Sequence, residues 1–324
     1  MIEAQNNLGL MYAHGRGVTK NERSAVEWYR RAAEQNDPAA QTNLGVMYEQ
    51  GRGVPKDEHR AVEWYQRAAE QGYAKAQHNL GVSCAEGCGM PKDERKAVEW
   101  YLKAAELGLA VAQFNLGGMY AEGRGVPKND RKAVEWYHVA AEQDMAEAQF
   151  NLGARYGEGC GVCMDESKAA EWYQKAAEQS LAEAQFNLGV VYMEGRGVPK
   201  DECKAGDWFQ KAAEQGDVGA QFNVGLMYAK GSAIPKDNRK AFEWFQKAAE
   251  QGMVTAQWLV GGMCGEGCGV PKDNVRAYAW LSVAAANGHD SAREKLAELE
   301  IAIPAERRGE AQKLAAELFA SLKQ

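Results

Sequence analysis

Apolar residues along the chain recur at helical spacing, and the whole pattern returns every 36 residues. The segment 37–72 shows the pattern once. Its first half carries apolar residues at i, i+4, i+7 and i+8, the spacing of one helical face: Ala40, Leu44, Met47 and Tyr48. Its second half carries two adjoining apolar stripes, Ala61, Trp64, Ala68 and Val62, Tyr65, Ala69. Each repeat therefore predicts two helices.

Capping residues predict where these helices begin and end. Asp37 is a good N-cap residue, and Asp57 marks the start of the second helix in the same way. Gly51 and Gly72 predict the two helix ends, because glycine adopts the left-handed C-terminal conformation without strain. Three repeats carry less suitable residues at the second end, namely Asn36, Asp144 and Ser180.

The repetition predicts the fold. Two helices joined by a short turn form an antiparallel hairpin, and a lone hairpin cannot bury its apolar faces, so hairpins stack into a solenoid. The tryptophan of each second helix is predicted to be the main core residue. Burying about 200 Å² at about 25 cal/mol/Å² gives on the order of 5 kcal/mol per repeat. The series is Trp28, Trp64, Trp100, Trp136, Trp172, Trp208, Trp244 and Trp280.

The motifs Ala-x-x-x-Leu-Gly-x-x-Tyr, Gly-x-Gly-Val-Pro-x-Asp and Lys-Ala-x-x-Trp-Tyr-x-x-Ala-Ala-Glu-Gln-Gly resemble the Sel1-like repeat family, relatives of the tetratricopeptide repeats. This resemblance covers residues 1–288 and implies an all-α, right-handed superhelical solenoid of eight 36-residue repeats. Residues 289–324 are predicted to form capping helices, since Pro304 is followed by a polar-rich helix from Ala305 to Leu322. The resemblance further implies an adaptor in complex assembly and signalling, especially in bacteria.

A recurring asparagine is the first candidate for partner binding. Asparagine in a helix interior costs roughly 0.6 kcal/mol relative to alanine, so seven cost about 4 kcal/mol, which indicates a compensating role. A side-chain amide suits binding the backbone of an extended peptide on a concave surface. The alternative is a structural hydrogen bond from each asparagine to a neighbouring helix or loop. Asn7 begins the series, Leu259 interrupts it, and the predicted partner-binding members are Asn43, Asn79, Asn115, Asn151, Asn187 and Asn223.

The position before this asparagine changes from polar to aromatic along the chain. It reads Asn6, Thr42 and His78, and then Phe114, Phe150, Phe186, Phe222 and Trp258. Packing between adjacent repeats explains aromatic residues here. The alternative is an apolar groove that receives side chains of a partner, and the five aromatic residues are therefore candidate partner-binding residues.

The seven cysteines form the third candidate group. Cys84 with Cys88, and Cys264 with Cys268, occupy equivalent positions in the third and eighth repeats, while Cys160 and Cys163 form a Cys-x-x-Cys in a loop. Free thiols, local disulfides and a metal site all fit this arrangement, and Cys203 is left over. We predict no cofactor and no metal.

Composition narrows the choice of partner. The net charge of -7 and pI of about 5.5 give no support for nucleic-acid binding, and no apolar run approaches the roughly 20 residues that span a bilayer. Because no secretory signal opens the sequence, we expect a cytoplasmic monomer. Processing or truncation of the N-terminus would instead make a periplasmic or secreted protein.

Catalytic motifs are missing from the sequence. The five histidines occupy five different repeat positions, and there is no zinc-protease, P-loop or nucleophile-elbow motif. We therefore predict a non-enzymatic scaffold that binds a protein or peptide. Two alternatives stay open: a β-lactamase-like hydrolase, as some cysteine-rich relatives are labelled, and a redox-responsive scaffold that uses the cysteine pairs.

Overall fold

The computed structural model describes residues 2–322 and is all-α, with eighteen helices and no strand in that range. Met1, Lys323 and Gln324, which the predicted boundaries 1–288 and 289–324 include, lie outside the described residues. The helices are α1 (Ile2–His14), α2 (Glu22–Ala33), α3 (Pro38–Gln50), α4 (Glu58–Glu70), α5 (Ala74–Glu86), α6 (Glu94–Glu106), α7 (Ala110–Glu122), α8 (Asp130–Ala141), α9 (Ala146–Glu158), α10 (Glu166–Glu178), α11 (Ala182–Glu194), α12 (Glu202–Glu214), α13 (Val218–Lys230), α14 (Asn238–Glu250), α15 (Val254–Glu266), α16 (Asn274–Ala286), α17 (Asp290–Ala302) and α18 (Ala305–Ser321). The predicted all-α fold is confirmed.

The helices fall into two compact units, and the first ends at Asp165. In this unit α1 packs against α2, α3 against α4, α5 against α6 and α7 against α8, which makes four hairpins. Each second helix also contacts the first helix of the next hairpin, from α2 with α3 to α8 with α9. The hairpins of this unit are therefore stacked in chain order.

The second unit begins at Glu166 and follows the same scheme, with hairpins α11/α12, α13/α14 and α15/α16. Its last helix differs, because α18 packs against α16. Along α16, Val275, Ala279 and Val283 are at most 3% exposed, whereas the corresponding residues of α14 are charged and exposed. The C-terminal helix therefore covers an apolar stripe on the final hairpin.

Helix ends lie where the capping residues predict them. The side chain of Asp57 accepts a hydrogen bond from the backbone N–H of Arg60 at 3.0 Å, and α4 begins at Glu58, directly after Asp57. Gly51 ends α3 in the left-handed conformation with φ of 68°. Where glycine is replaced at the end of the second helix, the left-handed conformation persists, at Asn36, Asp144 and Ser180.

The core aromatic residue is the one after the tryptophan, so the predicted role of the tryptophans is wrong. Tyr65 and Phe209 are 0% and 1% exposed, whereas seven of the eight repeated tryptophans are only half-buried. A Cβ added to Gly45 would lie 2.5 Å from the Tyr65 ring. The glycine of the first helix therefore makes room for the tyrosine of the second, and the tryptophan is left at the hairpin surface.

The glycine-rich loop packs on the preceding hairpin. Gly53 has φ of 70°, and a Cβ there would lie 2.4 Å from the carbonyl oxygen of Glu22, at the start of α2. Both the conformation and the close approach favour glycine at this position. In the seventh repeat the same position is Ala233, which adopts a φ of 63° at a cost of roughly 1–2 kcal/mol.

Candidate functional site

We use the name first-helix face for the surface formed by the recurring asparagine and the residue before it. Its predicted partner-binding residues are Asn43, Asn79, Asn115, Asn151, Asn187, Asn223, Phe114, Phe150, Phe186, Phe222 and Trp258, and all of them are half-buried. Each asparagine lies in the first helix of its hairpin.

In the first unit, two asparagines contact the polar residue of the preceding hairpin. Asn43 Nδ2 donates to Asn6 Oδ1 at 2.9 Å, and Asn115 Nδ2 lies 3.0 Å from His78 Nε2. These contacts match the structural role that the sequence left open as the alternative. They join neighbouring first helices at Asn6 and His78, whereas Thr42 donates to the Pro38 carbonyl oxygen of its own helix at 2.7 Å.

At two sites where the position before the asparagine is phenylalanine, the asparagine bonds to its own helix. Asn151 Nδ2 donates to the Glu147 carbonyl oxygen, and Asn223 Nδ2 donates to that of Gly219, both at 2.9 Å. The preceding hairpins present Phe114 and Phe186. A phenylalanine ring offers no hydrogen-bond acceptor to the amide, so the amide turns to the carbonyl four residues earlier.

The aromatic residues of this face pack on the second helix of their own hairpin. The ring centroids of Phe114 and Tyr137 are 5.7 Å apart, and those of Phe186 and Phe209 are 5.8 Å apart. Trp258 stacks on His289 at 5.0 Å, in the turn after its hairpin. Such pairs at 4.5–7 Å are favourable. Phe186 also lies against the next hairpin, since a Cβ added to Gly219 of α13 would be 2.9 Å from its ring. At Phe186 the packing between adjacent repeats that the sequence predicted is therefore present, beside the contact within the hairpin.

A series of buried glutamines is the main feature that sequence reasoning missed. Each Nε2 donates to the backbone carbonyl oxygen eight residues earlier, at 3.1–3.3 Å. The series is Gln41, Gln77, Gln113, Gln149, Gln185, Gln221 and Gln257. These bonds tie each first helix to the end of the preceding second helix. The signal was present, because Ala-Gln recurs every 36 residues.

A second glutamine, just after the second helix of the same hairpin, donates to the buried glutamine of the first helix. Gln71 Nε2 donates to Gln41 Oε1 at 2.8 Å, and Gln143 Nε2 donates to Gln113 Oε1 at 2.7 Å. In the third hairpin Leu107 replaces the donor, and Gln77 Oε1 is buried without a hydrogen-bond partner. An unpaired buried acceptor costs about 1–3 kcal/mol.

Six of the seven half-buried tryptophans of the second helices carry an arginine or lysine over the ring. Lys211 Nζ lies 3.9 Å from the Trp208 ring centroid, and Lys103 Nζ lies 4.1 Å from that of Trp100. In both cases the cation lies three residues after the ring, within the same helix. The exposed surface of the second helices is therefore ordered by cation–π contacts, which contribute about 0.5–1 kcal/mol each at exposed sites.

Cysteine chemistry gives the redox alternative little support. All seven cysteines are free, and the Sγ of buried Cys84 contacts Met90 Sδ at 3.5 Å. Burial raises the pKa of the Cys84 and Cys264 thiols, and burial together with the Glu58 and Glu86 carboxylates raises that of Cys88. Reactive cysteines have lowered pKa values, so these three are held as poorly nucleophilic thiols.

Buried tyrosine hydroxyls are also held neutral. Burial raises the pKa of Tyr29 and Tyr101 to about 12, and it raises that of Tyr65, whose hydroxyl donates to Glu49 Oε2 at 3.1 Å. Among the described residues, no group of three or more histidine, cysteine or acidic side chains is placed to hold a metal ion. None of the described helices is long and apolar enough to cross a membrane.

The stacked hairpins define a helical-repeat protein. The Sel1 repeat family matches the chain in eight consecutive segments, residues 2–37, 38–73, 74–109, 110–145, 146–181, 182–217, 218–253 and 254–289. The chain therefore belongs to the Sel1 repeat family. Proteins of this family are generally protein-interaction scaffolds and generally non-enzymatic.

Two solved structures support this assignment. A Sel1 repeat protein from Oxalobacter formigenes is 35% identical, with 92% of this chain and 86% of that chain covered and a TM-score of 0.71. The protein c5321, a protective antigen of uropathogenic Escherichia coli with an SLR fold, is 32% identical, with 99% and 86% covered and a TM-score of 0.51. No curated protein matches the chain.

Proposed function

We propose that this chain is a non-enzymatic scaffold that binds an extended segment of a partner protein along the first-helix face of the second unit. The observation that carries the proposal is the geometry of Asn151 and Asn223. Each amide Nδ2 is held by its own helix at 2.9 Å, which fixes the orientation of a half-buried side chain. The Oδ1 atom of each is an acceptor that suits the backbone N–H of an extended peptide.

Half-buried aromatic rings beside the asparagines support the same proposal. Phe186 and Phe222 contact the core through Phe209 and Phe245, with centroid distances of 5.8 and 5.6 Å, and each keeps part of its surface exposed. A rigid ring with an exposed edge binds apolar side chains at low entropic cost. An extended peptide would place alternate side chains against such rings.

The proposal is tested in two stages. The purified chain first captures partners from extract of the native cell, and mass spectrometry with peptide mapping defines the bound segment. A synthetic copy of that segment is then titrated against the double variant Asn187→Ala with Asn223→Ala. Losing one hydrogen bond at each site is expected to weaken binding by about 10- to 100-fold.

The matched control is Glu171→Ala with Glu243→Ala, which changes exposed residues of two second helices in the same unit. We expect this control to bind the segment as the native chain does. Far-UV circular dichroism checks that both variants keep their helices. Unchanged binding by the asparagine variant would contradict the proposal, and a large loss of helicity would assign these residues a structural role.

A further inference from the structure

The tryptophans of the second helices reveal one exception. In six hairpins an arginine or lysine three residues later lies over the ring, at 3.8–4.6 Å from its centroid. These rings are Trp28, Trp64, Trp100, Trp172, Trp208 and Trp244. In the fourth hairpin Val139 stands at the position of the cation, and no described cation lies over the half-buried Trp136. Six of the rings therefore have a cation–π contact within the chain, and Trp136 has none among the described residues.

The eighth hairpin also lacks the cation, but there the equivalent position is buried. There Val283 lies three residues after Trp280, and the two residues are 1% and 5% exposed. Helix α18 packs against α16, which carries both residues. Val139, in contrast, is 41% exposed. The fourth hairpin therefore lacks both the cation and a covering helix, within the part of the chain that the structure describes.

The groove beside the sixth hairpin shows what surrounds such a ring. Trp208 and Lys211 line a groove of about 580 Å³ together with Glu178 of the preceding hairpin and Glu214 of the same helix. The lysine thus lies over an aromatic ring and among carboxylates. Both interactions favour a cation at this position.

The corresponding groove in the first unit keeps the carboxylates and loses the lysine. Two repeat lengths earlier, the same positions are Glu106, Trp136, Val139 and Glu142, which we call the Trp136 groove. The glutamine pair beside these residues is the same in both hairpins, because Gln143 Nε2 donates to Gln113 Oε1 at 2.7 Å and Gln215 Nε2 donates to Gln185 Oε1 at 2.7 Å. Glu106 and Glu142 are both exposed.

One neighbouring group bears on the charge of this groove. His138 Nδ1 lies 3.5 Å from a carboxylate oxygen of Glu142, and this contact is an ion pair only when the histidine is protonated. With His138 neutral, the Trp136 groove carries two negative charges and an aromatic face. A cation supplied from outside the chain would replace the contact that the other hairpins make internally.

We propose that the Trp136 groove binds a lysine or arginine side chain from a basic segment of a partner protein. The cationic group lies over the Trp136 ring between Glu106 and Glu142, and the aliphatic stem packs on Val139. Charge complementarity selects this occupant, since the groove is acidic and the missing element is a cation. This surface lies on the second helices and is independent of the first-helix face.

The test uses the full chain labelled with 5-fluorotryptophan and followed by ¹⁹F NMR. The chain has nine tryptophans, and the resonance that disappears in Trp136→Phe is assigned to Trp136. A pentalysine peptide is titrated in at low salt and pH 8, with pentaglutamate as the control peptide. We expect the Trp136 resonance to shift at a peptide concentration about fivefold lower than any other tryptophan resonance, as one cation–π contact predicts.

Two variants make the outcome specific. Val139→Lys supplies the cation internally and is expected to abolish the selective shift of Trp136. Lys211→Val exposes Trp208 and is expected to make its resonance respond to pentalysine as Trp136 does. Equal shifts of all tryptophans, no shift, or an unchanged response of Val139→Lys would overturn the proposal.

Discussion

The third and fourth hairpins share a buried glycine–tyrosine contact, and each has lost one polar contact that the other keeps. In both, the glycine of the first helix faces a buried tyrosine, as Gly81 faces Tyr101 and Gly117 faces Tyr137. The third hairpin, α5/α6, has lost the amide donor of its glutamine pair. The fourth hairpin, α7/α8, keeps that pair and has lost the cation over its tryptophan.

The two losses have different consequences because one is buried and the other is exposed. Replacing the donor by Leu107 leaves Gln77 Oε1 without a hydrogen-bond partner in the interior. That loss costs stability and offers nothing to a partner. Replacing the cation by Val139 leaves an exposed ring face, which costs little in water and provides a surface for recognition.

The largest expected effect comes from the shared interior. Tyr101→Ala should lower the free energy of unfolding by about 3–5 kcal/mol, since it empties a fully buried site. Trp100→Ala changes the adjacent, half-buried residue and should cost at most half as much. Urea unfolding followed by far-UV circular dichroism measures both. A greater loss for Trp100→Ala would restore the tryptophan as the main core residue.

The second-largest effect is expected when the fourth hairpin is given an unpaired glutamine acceptor like that of the third. Gln143→Leu removes the donor to Gln113 Oε1 and should lower the free energy of unfolding by about 1–3 kcal/mol. Gln66→Leu, at an exposed position, is the control and should change stability by less than about 0.5 kcal/mol. Equal effects of the two substitutions would show that the hydrogen bond between Gln143 and Gln113 contributes nothing to the free energy of unfolding.

The reverse substitution repairs the third hairpin. Leu107→Gln supplies a donor for Gln77 Oε1 and should raise the free energy of unfolding by about 0.5–1.5 kcal/mol. Leu107 is 57% exposed, so little apolar packing is lost. Leu107→Ala removes the same apolar surface without adding a donor and should not stabilise. Stabilisation by both variants would point to the exposed leucine as the cause.

The smallest effect lies on the exterior of the fourth hairpin. Val139→Lys should raise the free energy of unfolding by at most about 0.5–1 kcal/mol, through a cation–π contact with Trp136. Part of this gain should disappear in high salt, because nearby carboxylates contribute to it. A destabilisation of more than about 1 kcal/mol would show that Val139 packs in the folded state.

The sequence predicted the helices and their ends because those depend on local chemistry. Asp57 and Gly51 act as cap and terminator in the structure as the pattern indicates. The choice of core aromatic could not be predicted in this way. Trp64 and Tyr65 lie on adjoining apolar stripes, and only the contact of Tyr65 with Gly45 decides which ring is buried.

The candidate site was harder to predict for a related reason. The asparagine series was visible, but the partner of each amide depends on the residue that the preceding hairpin presents, as Asn115 with His78 shows. The role of Gln113 could not be predicted, because a polar residue in an apolar stripe is explained only by its hydrogen-bond partners. Those partners, the Ala105 carbonyl and Gln143, lie 8 and 30 residues away.

We propose that a partner binds the first-helix face of the second unit, while buried contacts hold the stacked hairpins together. Hydrogen exchange with mass spectrometry tests it most directly, on the native chain free and bound to the captured segment. We predict slower exchange concentrated in the first helices α11 and α13 of the second unit, with α12 and α14 nearly unchanged. Slower exchange confined to the second helices, or to the loops, would contradict the account.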